Sequence, residues 1–578
     1  GGFVINYYYF GHLTGAVLTK LSGLKSNITY NLLLATIFAL SMTQVFSIVV
    51  NIITQFAASL LPRLKEKLNF VKLTLFGLVG AYLVNLAGNL HTIYLFTKGY
   101  PNEKPIPFWE ILGPYNPSSY WYPNATRFIP YTIHEFPSYS YVVADLHGHV
   151  FDIPFVLLTM AVILGLFINL PTFSTKTDAL LMYIKKHKAP ELIFLSIKHP
   201  LFITSLLLGF LIGVHYMTNV LDSPIYLLLV LAVLILLVPS ILLKFVYIGT
   251  AIITFVITIL PFSIFFKPFV SGIGVNCSPT FLTNLKKIGP FLFESGNCQV
   301  SAIWMLFVLW GFFVFNAVLL FFINRITKIK QHNNIHLYMS LLFAYGIFLI
   351  IIPEFFYIKD IYPAHFRANT MFKLGYQAFM MMSIASIYVL FRITLLPKTQ
   401  KMITTFIYMF PFFLVVIYPF YSVPSFYGQL TKKTSLDGSE WLNKERPEDY
   451  QIINFFNSNV KGQPTILEAQ GDSYTDYERI SSYTGLPTVA GWWVHEWLWR
   501  GSSSIVGDRI PHIVTLYESL SLSDTIYYLK LYKIKYVVVS SLEREKYPNL
   551  NESKFMLLGK KVFTSSNGKG AVYQVDVN

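Results

Sequence analysis

Long apolar runs separated by short polar loops fill most of the chain. Ten runs, near residues 28–55, 73–97, 150–170, 201–221, 224–243, 245–267, 301–323, 336–358, 371–391 and 402–424, can cross a bilayer core of about 30 Å as helices. Within them the apolar positions mark no single helical face, as suits a spanning helix surrounded by lipid or protein. After Tyr427 the pattern changes, and Gly, Ser, Asp and turn residues return. Residues 464–469, 536–540 and 571–575 read as strands and 524–532 as a helix. The pattern therefore predicts an α-helical polytopic membrane protein of about ten transmembrane helices, residues 1–427. A small C-terminal α/β domain, residues 428–578, follows.

Composition supports the bilayer as solvent. Of 578 residues, 54% are hydrophobic and 13% charged, against roughly 25% charged in soluble domains. Mean hydropathy is +0.52. These values exclude a disordered chain, a soluble nucleic-acid binder and an ordinary cytosolic enzyme. The net charge of +15 is unevenly placed: residues 1–427 hold 27 Lys/Arg and 12 Asp/Glu, and the tail holds 17 of each. No compact basic block stands on a soluble segment, so nucleic acid is not an expected partner.

The excess charge predicts sidedness. The loops 63–72, 176–198, 244, 325–330 and 392–401 carry 16 Lys/Arg and 3 Asp/Glu, whereas the alternate set carries 11 and 9. The first set is expected in the cytoplasm. The chain start, loops 98–149, 268–300 and 359–370, and the whole tail are then extracytoplasmic, in a cell membrane. Cys277 and Cys298 both fall in an outer loop, where a disulfide is permitted; two free thiols are the alternative.

Ionisable residues are costly at membrane depth, so their placement is informative. Four polar segments gather at the expected outer face: Asn6 to His12 with Tyr7, Tyr8 and Tyr9; His134 to His149; Asn219 to Asp222; and Arg367 to Lys373 with Asn369. The tyrosines also suit an interfacial belt. Ser223 and Pro224 also suit the N-cap and first position of the next helix. Arg367 and Lys373 suit a phosphate, or an ion pair with Asp360 or Glu354. Glu135 and Asp145 are candidate general bases. Asp145, His147 and His149 offer three ligands for a divalent metal, Mg or Mn, if the stretch is extended; on a helix His147 would point away. In the tail, Trp492, His495, Glu496 and Arg500 belong to a stretch with four tryptophans in eight residues. It suits packing on a membrane surface or stacking on a sugar or lipid headgroup.

The strings INYYYFGH (5–12), EFPSYSYVVADLHGH (135–149), RANTMFK (367–373) and ILEAQGDSYTDYERISSYTGLPTVAGWWVHEWLWRG in the tail resemble the YYY-domain family of polytopic membrane proteins. That resemblance covers essentially the whole chain. It implies further transmembrane sequence upstream, with an Asp-Pro-Trp motif before the glycine pair, and hence an N-terminally truncated chain. The family is in turn similar to GT-C-type glycosyltransferases, which use polyprenyl-phosphate sugars. The resemblance thus implies transfer to an envelope glycan or protein acceptor at the outer face. A transporter or flippase of an envelope component, or a non-catalytic envelope protein, are the alternatives.

Overall fold

The computed structural model describes residues 4–60, 69–170, 197–327, 333–360, 362–431 and 434–576. Eight described helices are long and apolar enough to cross a membrane: Ser26–Ser59, Gly148–Ile168, Pro200–Thr218, Ile241–Ser263, Ile303–Thr327, Asn334–Glu354, Ala368–Ile393 and Lys398–Phe426. The protein is a multi-pass, mostly helical membrane protein. The basic residues in 63–68, 176–196 and 328–330, on which the sidedness expectation largely rests, lie outside the described residues.

Two of the ten expected spans take another form. The run at 73–97 is a helix, Phe70–Asn85, that turns by 80° into a 3-10 helix, Leu90–Phe96. Between them, the amide of Gly88 donates to the carbonyl of Val415 (2.8 Å), and the Asn89 side chain accepts from the amide of His91 (3.1 Å). Non-helical backbone inside a membrane protein needs such internal partners. The run at 224–243 is a helix of only 16 residues, Asp222–Leu237, about 24 Å long. It begins two residues before the expected Pro224, and Ser223 lies in its first turn instead of capping it. A further helix, Phe10–Ser22, lies outside the ten expected runs.

Helix Ala368–Ile393 is the centre of the bundle. Of its apolar window, 94% is buried, so the helix is surrounded by protein. Its polar residues find internal partners: Gln377 accepts from the Tyr226 hydroxyl (2.8 Å), and Arg392 donates to Tyr388, Asn324 and Thr327. Close packing elsewhere rests on small residues. A Cβ on Gly209 or Gly213 would stand 2.9 Å from Thr254 Cβ or 2.6 Å from Thr258 Cγ2 on helix Ile241–Ser263. This small-xxx-small spacing lets two membrane helices approach.

Two four-stranded sheets complete the fold. One lies beside the first turn of helix Ala368–Ile393, where the amide of Ile358 donates to Thr370 (2.8 Å), in the order Lys287–Ile288, Phe291–Leu292, Gly272–Val275, Phe356–Lys359. The run expected to stay helical through 358 therefore leaves the helix earlier. Its α-helix ends at Ile351, Pro353 sits in a 3-10 turn, and Phe356–Lys359 pairs antiparallel with Gly272–Val275. Cys277 and Cys298 are disulfide-bonded beside this sheet.

The second sheet forms the C-terminal α/β unit, in the order Thr465–Leu467, Ile534–Val539, Ala571–Val575, Gly559–Thr564. The first pair is parallel and the others antiparallel. Alternate residues face opposite sides of a strand. Leu467, Val537 and Val539 accordingly enter one core, and Ile466, Val538 and Val572 the other. Buried Arg479 locks the unit, with Nε 2.6 Å from Asp449 and Nη2 3.1 Å from Glu543.

Candidate functional site

Residues 137–149 form a turn-helix-turn that ends on a membrane helix. After helix Pro137–Val142, Ala144 adopts a left-handed conformation (φ 54°), and the amide of Asp145 returns to the Ser140 carbonyl (3.0 Å). His147 is extended and occupies the position just before helix Gly148–Ile168. Gly148 is required at that junction, because a Cβ would overlap the Thr218 carbonyl oxygen and approach the Tyr8 ring to 2.9 Å.

Asp145 and His147 precede the membrane helix and His149 lies in its first turn, and this junction brings all three expected ligands together. Asp145 Oδ2 lies 3.8 Å from His147 Nδ1 and 3.7 Å from His149 Nε2, and one ligand atom of each lies within 4.8 Å of the others. Asp145 and His147 are half-buried and His149 is buried. Burial, with the charge of Glu135, pushes the Asp145 carboxyl up to about 6 against the opposing charge of Lys373. Burial and the charge of Lys373 hold His147 down to about 3, so its imidazole is neutral, the form that ligates metals.

Three neighbours enclose this cluster. Tyr7 shares a hydrogen bond with His147 Nε2; burial raises its phenol well above the ordinary value. The Tyr7 ring also lies 5.5 Å from that of Trp499, which reaches over from the α/β unit. The third neighbour, Lys373, is buried, and its Nζ has no hydrogen-bond partner among the described residues. Nζ sits 4.6 Å above the Phe372 ring. That ring and Tyr376 also flank His149, at 4.8 and 5.0 Å.

A second polar layer lies deeper. Asp152 holds His215 Nδ1 at 2.9 Å, His215 Nε2 meets Thr159 (2.9 Å), and Asp152 interacts with the Asp222 carboxyl. Asn219 donates to Asp222 (2.7 Å). Sequence reading selected Asn219 and Asp222 but missed Asp152 and His215. The signal was present, since each is an ionisable residue within an apolar run.

Other expected site residues are engaged elsewhere. Glu135 is paired with Arg127 at 2.7 Å. Buried Arg367 bonds Glu354 (2.9 Å) and Ser301 (3.0 Å), which is one of the two ion pairs the sequence offered it. Asn369 donates to Asp360 (2.7 Å). Helix geometry separates Arg367 from Lys373: six residues turn the chain by about 240° beyond one full turn. Two of the remaining residues stay beside the cluster: Tyr8 stacks on Tyr7 (4.1 Å) while packing with Met217, Phe262 and Phe266, and His12 lies 6.3 Å from the Tyr7 ring and 4.9 Å from Phe151; Tyr9 packs on Phe262 (5.5 Å).

The tail residues form a separate group that touches the first. Helix Trp493–Arg500 carries the pair Glu496–Arg500 (2.9 Å). Arg500 also donates to the Val4 carbonyl (2.6 Å), and Asn6 donates to the Trp499 carbonyl (2.5 Å). Trp492 and His495 stand 5.4 Å apart and line a cavity with Trp499.

Solved structures of oligosaccharyltransferase from Archaeoglobus fulgidus resemble the chain weakly. One, tethered to an acceptor peptide containing the NVT sequon, shares 10% identity at a TM-score of 0.34, covering 98% of this chain and 65% of that one. A second, AglB with an inhibitory peptide and a dolichol-phosphate, shares 11% at 0.33, covering 99% and 66%. The apo form gives 10% and 0.33, covering 98% and 66%. The chain thus spans just under two thirds of their length. No curated protein matches it in sequence. A family profile matches residues 1–343 and 325–382, more than half the chain. The chain therefore belongs to DUF2298, a family described as uncharacterized membrane proteins.

Proposed function

We propose that this protein is a membrane glycosyltransferase that takes sugar from a polyprenyl-phosphate carrier at the extracytoplasmic face of the cell membrane. The observation that carries the reading is Lys373, a buried ammonium without a partner among the described residues, beside the cluster Asp145, His147 and His149. A buried ammonium without a hydrogen-bond acceptor is expensive, and a phosphate is an anion that a point-charge ammonium suits. The extracytoplasmic assignment rests on the loop charge bias and on the Cys277–Cys298 bond at the same end of the bundle as the cluster.

In this reading, Lys373 holds the carrier phosphate while the polyprenyl chain stays in lipid. Asp145, half-buried and titrating near 6, accepts the proton of the acceptor hydroxyl. The acceptor oxygen bonds to the sugar's anomeric carbon as the bond from that carbon to the phosphate oxygen breaks. The lipid phosphate then leaves against Lys373. The acceptor is an envelope glycan or protein. In an alternative to that proton-accepting role, Asp145 would hold a divalent cation with His147 and His149, and two imidazoles beside one carboxylate favour Mn2+ over Mg2+. Such an ion would supply positive charge to the departing phosphate. For His147 Nδ1 to present its lone pair toward Asp145, Nε2 must carry the proton and donate to the Tyr7 oxygen.

The test is transfer of labelled sugar from a polyprenyl-phosphate donor by the protein in nanodiscs. Asp145→Asn and Lys373→Met should each abolish transfer; unchanged turnover in both would refute the reading. A transporter is the second reading, favoured by the buried network of Asp152, His215 and Asp222 within apolar helices. It predicts flux of lipid-linked label across liposomes with no covalent product.

A further inference from the structure

The α/β unit carries a cavity of about 620 Å³ that the chemistry above does not use. That size falls within the roughly 300–1,000 Å³ of small-molecule sites. One wall is aromatic: the rings of Trp492 and His495 are 5.4 Å apart, and those of His495 and Trp499 are 5.9 Å apart. The opposite chemistry comes from Glu478, which lines the same cavity. This residue is 5% exposed and its Oε2 has no hydrogen-bond partner among the described residues. Its other oxygen accepts from the Gly471 amide (2.7 Å). Glu478 also sits in the left-handed region (φ 58°), a conformation that a non-glycine residue holds at a cost. Burial pushes its carboxyl up to about 9, so near pH 7 it carries a proton to donate.

The charges on the cavity wall are already engaged. Arg500 bonds Glu496 and the Val4 carbonyl, and Arg509 donates to the Val489 carbonyl (2.7 Å). A phosphorylated ligand would need a cation, whereas a ligand with an apolar ring face and hydroxyl edges needs aromatic planes and neutral hydrogen-bonding groups. We propose that this cavity binds a neutral saccharide, the acceptor glycan, with a ring against the Trp492–His495–Trp499 wall and a hydroxyl on Glu478. The cavity adjoins the other site through one ring layer, since Trp499 touches Tyr7 and Tyr7 bonds His147. The inference rests on the transferase reading for the word acceptor, but its test is binding and needs no turnover.

The full chain in nanodiscs is titrated with methyl glycosides of glucose, mannose, galactose and N-acetylglucosamine and with their disaccharides, followed by tryptophan fluorescence and saturation-transfer NMR. Saturable binding of at least one sugar is expected, weakened 10-fold or more by Glu478→Ala and Trp492→Ala. Glu478→Gln, which keeps a donor, should bind within about threefold of the parent. Ser482→Trp, an exposed position on the cavity wall, should block binding without removing a core residue. Absence of saturable binding by the parent overturns the proposal, as does binding that survives both Glu478→Ala and Ser482→Trp. Binding of a serine- or threonine-containing peptide in place of every sugar also overturns it. Sugar binding without label transfer would sustain the cavity and refute the transferase reading.

Discussion

The hydroxyl of Tyr7 and Nε2 of His147 are joined by a hydrogen bond between residues 140 positions apart. It fixes the face that the imidazole turns toward Asp145. A partner on the far nitrogen orients a ligating histidine, and its loss commonly lowers metal affinity about 10–100-fold. Tyr7→Phe should therefore weaken Mn2+ binding by about that factor, and Asp145→Asn by more. Titration of free Mn2+ by electron paramagnetic resonance measures both. Identical affinity in Tyr7→Phe and the parent would remove Tyr7 from the site.

Asp145 gives the transfer reaction a pH signature. Its carboxyl is raised from 3.8 to about 6, chiefly by burial, and only the carboxylate accepts a proton. Activity should fall as pH drops through about 6, and the residual activity of Asp145→Asn should lack that step. For stability the sign is opposite. The folded state favours the protonated form, so the contribution is full below 3.8 and lost as pH rises through about 6. A pH–rate profile without a step near 6 would count against Asp145 as the base.

Lys373 should trade stability for function. Replacing its ammonium with the similarly long, uncharged side chain of methionine removes an unpaired buried donor. Lys373→Met should therefore stabilise the fold by about 1–3 kcal/mol while abolishing transfer. A raised melting temperature in detergent with lost activity is the expected pair of results. A lowered melting temperature would mean that the ammonium has a structural partner.

Arg479 tests the α/β unit. Arg479→Leu would leave Asp449 and Glu543 buried without their shared cation, at a cost of about 3–5 kcal/mol. Arg479→Lys should rescue little, because one ammonium cannot reproduce the fork that bonds both carboxylates and Ser540. Limited proteolysis should cut the variant within the unit while the helical part stays intact. Parent-like resistance in Arg479→Leu would show that the network is dispensable.

The sequence alone determined the solvent, the class of fold and the position of most helices. Those properties follow from the local apolar runs, and a run of about 20 apolar residues must satisfy its own backbone in lipid. It also brought forward the segments that meet at one end of the bundle, because ionisable residues are scarce in such a chain. The tertiary structure decided which of those residues share a site. RANTMFK reads as one motif, yet Arg367 pairs with Glu354 while Lys373 stays unpaired beside Asp145. Asp152 and His215 meet only because two helices pack together. The turn after Asn85 depends on Val415 of a distant segment, and the strand Phe356–Lys359 on its partner Gly272–Val275. Each of these outcomes is set by a partner far along the chain, and a local pattern carries no information about that partner's distance or direction.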